Sequence, residues 1–263
     1  MQYKYRNGQI GLLLLVIMGV VIALAMSVAS RSLSDTMLSR QERESSAAFA
    51  VAETGIEQAM NALGQGNVPQ GSNILPTTLD IVNGEYKVSP TTAYGLYVRE
   101  GETAHLDLST YVSSLNILWT KKTDKNENIT TCIEGSNQSP AAIEVSAITS
   151  TSVLRSYFNP SDCDPGANGF LASDAGGDEY RSRVPIAYTV PVGTIAVRIK
   201  PIYAGATISV SSATGVALKD QLYLIQSKAA AGDAQKEIEV KRGLDAPPSI
   251  FDFAVFSAGT IVK

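Results

Sequence analysis

A chain of 263 residues with a formal net charge of −4 and a pI near 5.1 lacks the basic surface that tracks a phosphate backbone, which argues against nucleic acid as a partner. Its one histidine, His105, excludes HExxH and two-histidine metal sites, and its two cysteines come with no CxxC or Cys/His spacing that would suit zinc. The length is enough to bury a core, with about 180–200 residues left for one β-rich head after a long N-terminal helix is set aside.

In chain order, MQYKYRNG (1–8) is a short basic leader, and residues 10–29 (IGLLLLVIMGVVIALAMSVA) form an uncharged run. About 20 apolar residues at a rise of about 1.5 Å give roughly 30 Å, the thickness of a bilayer core, so the run reads as a transmembrane helix. A secretory leader is the rival reading, but its apolar part is shorter and ends at a cleavage site. Here residues 30–63 contain no proline and one glycine, Gly55, so the sequence predicts one helix over 9–63 with 30–63 outside the membrane. Within the span, Gly19, Ala23 and Ser27, followed by Ser30, place small residues where another helix can approach, and the alternative is the ordinary abundance of such residues in membrane helices. Arg40 and Glu44 are spaced as a surface pair. From Ala48 an apolar stripe through Val51, Ala52, Gly55, Ile56, Ala59, Met60 and Leu63 predicts a face packed on the head's own sheet, with Ile56, Met60 and Leu63 as its large contacts.

The leader ending in Gly8, the apolar run and the close on Ala48-Phe-Ala-Val-Ala-Glu53-Thr-Gly55-Ile-Glu57-Gln-Ala59 together resemble the N-terminal region of PilX-type minor pilins, over residues 1–63. The resemblance implies cleavage between Gly8 and Gln9, a filament built by packing of N-terminal helices, and other pilin subunits as partners. It also exposes a departure: Leu13 stands at the fifth position after that cut, where major pilins carry a glutamate that meets a neighbouring subunit's N-terminal amine. Subunits at filament tips are the members that can lack it.

Gly64 to Gly71, rich in glycine with a proline, ends the helix, and 64–80 reads as a linker. Residues 81–263 then carry short β-branched and aromatic runs at 85–89, 96–100, 115–119, 142–149, 153–158, 194–203, 206–212, 221–227 and 236–242. Turn residues between them predict an antiparallel, sandwich-like head, making the whole chain α+β. The strongest hairpin lies at 221–242 with Ala231-Gly232-Asp233 near its turn. The alternating run at 249–262 reads as a late strand of the same sheet.

Cys132 and Cys163, a lone pair in the large part of the chain, predict a disulfide in an oxidising exterior, with two buried thiols as the alternative. Asp162, Asp164, Asp174 and Asp178 lie in glycine-rich loops and are weak calcium candidates, since they lack EF-hand spacing and loop carboxylates are usually just solvated. His105 alternates within a strand, where a surface or half-buried imidazole is the plain reading. No catalytic residue and no cofactor is expected.

The positive-inside count does not orient the span, since Lys4 and Arg6 precede it and Arg31, Arg40 and Arg43 follow it. Size and cysteine usage predict an extracytoplasmic head, and the resemblance implies the cytoplasmic membrane as the one that the α-helical span occupies. The expectation is a non-enzymatic structural subunit of a type IV pilus or related filament. The alternative is a permanently anchored surface protein whose sandwich binds a glycan or a protein, with Trp119, Tyr94, Tyr97, Tyr111, Tyr157 and Tyr180 as stacking candidates.

Overall fold

The structure, a computed structural model, describes residues 9–75, 82–129, 131–132, 139–164 and 168–244. One helix, α1 (Gln9–Gly64), runs for 56 residues, about 84 Å at 1.5 Å per residue. Fourteen strands follow in the described residues: β1 (Ser72–Ile74), β2 (Val82–Thr91), β3 (Tyr94–Val98), β4 (Ala104–Asp107), β5 (Ser114–Lys121), β6 (Ala142–Thr149), β7 (Val153–Phe158), β8 (Asp174–Ala175), β9 (Tyr180–Arg183), β10 (Tyr188–Thr189), β11 (Thr194–Ile202), β12 (Ala206–Ser212), β13 (Leu222–Ala231) and β14 (Ala234–Gly243). The layout is α+β, a long apolar helix and then antiparallel, sandwich-like sheets.

All nine β runs read from the sequence are strands. The differences are short: β1 interrupts the stretch expected to be linker, and β8, β9 and β10, of two to four residues, carry too little apolar pattern to stand out. They form because neighbours pair with them, as where Asp174↔Arg183 and Ala175↔Ser182 join β8 to β9. The run at 249–262 lies outside the described residues.

The chain divides into two compact units, Met1–Lys87 with Gln226–Ile238, and Val88–Ile225 with Glu239–Lys263. In the first, α1 lies on strands of a sheet ordered β1-β2-β13-β14. β1 is antiparallel to β2 in the register Ser72↔Lys87, Asn73↔Tyr86 and Ile74↔Glu85, and the Leu75 N–H closes the ladder on the Gly84 carbonyl at 2.9 Å. Ala48, Ala52 and Ala59 are completely buried, and Ala48 clusters with Val82, Ala231, Ala47 and Val51.

The backbones come close enough that side chains are excluded at two points. A Cβ on Gly55 would overlap the Ser227 hydroxyl, and one on Gly84 would fall 2.5 Å from Val51 Cγ1 and 2.8 Å from Leu75 Cδ1. Glycine permits such an approach because it carries no Cβ. The stripe foreseen in the sequence is therefore present, but its weight is redistributed. Ile56, Met60 and Leu63 are only half-buried and flank a contact line made by Ala48, Ala52, Gly55 and Ala59. Large side chains on that line would hold helix and sheet too far apart.

In the second unit two sheets make the sandwich, one ordered β3-β12-β5-β9-β8 with β10 also on β5, the other β4-β11-β6-β7. β11 pairs with β6 from Thr194↔Thr149 to Ile202↔Ala142, slipping register between Thr194 and Ala196. Alternation turns Leu115, Ile117 and Trp119 of β5, Ile208 and Val210 of β12, Val145 of β6 and Val197 and Ile199 of β11 into one core, each completely buried. The Trp119 indole donates to the Ala141 carbonyl at 2.7 Å, satisfying its one polar atom inside that core.

Thr120, buried at φ 64°, steps out of the ladder between Trp119↔Ser182 and Lys121↔Tyr180. The Lys121 N–H instead donates to Glu127 at 3.0 Å, and the Thr207 N–H reaches the same carboxylate at 2.7 Å, joined by the Thr207 hydroxyl. Glu127, 2% exposed, thus substitutes for a missing piece of strand.

Two expectations follow. Gly55→Ala should destabilise the fold by about 1–3 kcal/mol through overpacking, and the penalty should shrink on a Ser227→Ala background, where the overlapping hydroxyl is gone. Thermal unfolding of the detergent-solubilised chain measures both, and equal penalties on the two backgrounds would show that this contact is not the limiting one. Glu127→Ala should lower stability by about 2–3 kcal/mol because two backbone donors lose their acceptor, read as a shift in denaturant midpoint at unchanged slope.

Candidate functional site: the exposed helix and its clamp

From Gly11 to Arg43 every residue of α1 is exposed, including Leu12, Leu15, Met26, Val28, Leu33 and Met37 at 64–71%. A helix this long and apolar is sufficient to cross a membrane. A surface of this extent needs a non-aqueous neighbour, lipid or protein.

Gly19 and Ala23 precede Gly55 and Ala59 by 36 residues, which is ten turns at about 3.6 residues per turn. The face that closes on the sheet in the first unit therefore continues along the helix as the small-residue face of the apolar run. Ser30 falls on it too, 18 residues or five turns before Ala48. Ser27 lies on its flank. An added Cβ at Gly19 would meet nothing within 4 Å, so this face is open in the single chain. Gln9 opens the helix, and Gly8 lies outside the described residues.

The transition from exposed to packed helix is fixed at Glu44. Its carboxylate accepts from Arg40 Nε at 2.7 Å and from the Asp233 N–H at 3.3 Å. Asp233 and Gly232 form the two-residue loop between β13 and β14, with Gly232 at φ 55°, a conformation that suits glycine in a tight hairpin. A Cβ at Gly232 would lie 2.5–2.7 Å from the Glu44 carboxyl atoms. The Arg40–Glu44 pair is thus part of a three-way junction rather than an isolated surface pair. The hydrogen bond from Arg40, then that from the Asp233 amide, holds the Glu44 carboxyl below its ordinary value.

The cysteines are joined. Cys132 and Cys163 form a disulfide with Cα atoms 5.6 Å apart, closing a separation of 31 residues. Around it the Ser161 N–H donates to Ser182 Oγ at 2.8 Å, and the Ser161 hydroxyl to the Arg181 carbonyl at 2.7 Å. The Arg181 guanidinium donates to the Ile129 carbonyl, and its burial lowers its pKa, an effect that Asp162 partly offsets.

The calcium candidates disperse. Asp174 pairs with Arg183 at 3.4 Å, Asp164 accepts from Asn159 Nδ2 at 3.2 Å, Asp162 stands at φ 61° beside the disulfide, and Asp178 is exposed in a turn. Among the described residues no group of three or more His, Cys, Asp or Glu side chains gathers as a metal site would require. His105 is half-buried on β4, opposite Arg198 of β11.

Of the aromatic candidates, Trp119 and Tyr94 belong to the core, where burial pushes the Tyr94 phenol up to about 12. Tyr97 and Tyr111 are exposed, at 55% and 46%, and Tyr180 is half-buried. Tyr157 stacks on Phe170 at 5.0 Å, and Phe170 on Tyr203 at 6.4 Å, so much of this aromatic surface faces another ring. Sequence reasoning missed Phe170 and Tyr203, which come together only through the fold.

Since the carboxyl of Glu44 is depressed in the folded state, its contribution is present above its ordinary value of 4.5 and is lost as pH falls below that. The melting temperature should drop below about pH 4.5, and Glu44→Gln should flatten that part of the profile; superimposable profiles would remove the junction from the account. Replacing Cys132 and Cys163 together by serine should cost about 3.5–4 kcal/mol, the loop-entropy value for a closure of this size, with the intact chain showing no free thiol under denaturing, non-reducing conditions.

No protein-family model, no curated protein and no solved structure matches this chain.

Proposed function

We propose that the chain is a non-enzymatic structural subunit of the minor-pilin type. It is held in the cytoplasmic membrane by the apolar part of α1, with its β-rich part on the extracytoplasmic side, and is then drawn into a type IV pilus or related secretion filament. The observation that carries this reading is one uninterrupted helix in two environments, fully exposed from Gly11 to Arg43 and clamped by small residues from Ala48 to Ala59. A helix serving only as an anchor has no need to continue rigidly for some 30 residues beyond the lipid and fasten to a sheet. In a filament the exposed part would pack against other subunits' helices while the clamped part stays on its own sheet.

Leu13, in place of a carboxylate, favours a tip or initiating position, because such a subunit needs no acid to receive a neighbour's amine. An uncharged span also inserts at lower cost than one bearing a glutamate, by a few kcal/mol. A protein disulfide accords with the oxidising side of that membrane.

The test is the N-terminus of the native protein and the place of its head. Mass spectrometry should find Gln9 as the first residue in sheared filaments, and antibody to the head should label one filament end. A first residue of Met1 with all protein retained in the membrane fraction would favour the permanently anchored binding module instead. Label spread along the filament would keep the subunit reading and remove the tip position.

A further inference from the structure

No further inference is drawn: the strongest candidate, the outer face of the β4-β11-β6-β7 sheet where the Tyr157–Phe170–Tyr203 ring stack meets Asn159, Asn168 and Arg155, carries nothing, because the rings face one another, the two amides bond each other, Arg155 is paired with Glu144, and nothing in the structure shows what covers it.

Discussion

The first unit depends on how near α1 comes to its sheet. At Gly55 and Gly84 no side chain fits between helix and strand, and Ala48, Ala52 and Ala59 extend that proximity along three turns. Close approach brings many weak dispersion contacts into range without any one large side chain, and it penalises every added atom. The half-buried Ile56, Met60 and Leu63 shield the flanks from water, so the seam combines a tight centre with an apolar rim.

The second unit solves a different problem with ordinary means. Its sandwich buries Trp119, Ile117, Ile199 and Ile208 by alternation, and the irregularities are answered locally by polar groups. Glu127 meets the backbone donors that Thr120 leaves behind by departing from the ladder, and Glu144, 9% exposed on β6, is paired with Arg155 and accepts from the Ser146 hydroxyl. Both buried carboxylates have dedicated donors, which offset the cost of taking a polar group out of water.

How much of this was legible in the sequence follows from the range of the forces involved. The helix and the nine main strands depend on local pattern, and residues 9–63 and the β runs could be read directly. The disulfide was readable from composition, because two cysteines admit one pairing. The seam was half legible: the stripe was visible, but hydrophobic pattern gives weight to Ile56 and Met60 and little to Gly55, whose role is defined by Ser227 on a distant strand. Glu127 reads as one more polar residue in KKTDKNEN, and only Thr207, 80 positions later, makes it a core group. Glu44 likewise meets Asp233 across 189 positions. Such partners are set by topology, which no local window contains.

The clamp also has a mechanical side. A line of alanines is smooth and offers little resistance to sliding along the helix axis, so axial registry must come from features that interlock. Two are present: the notch where Gly55 admits Ser227, and the Glu44 junction at the Gly232-Asp233 turn, 11 residues or about 16 Å earlier along the helix. A shift of one helical turn would drive the side chain of a neighbouring residue into Ser227 and leave the Asp233 amide without its acceptor. Tension applied along α1 is therefore carried into the β13–β14 hairpin at these discrete points, and the helix behaves as a keyed shaft rather than a greased one.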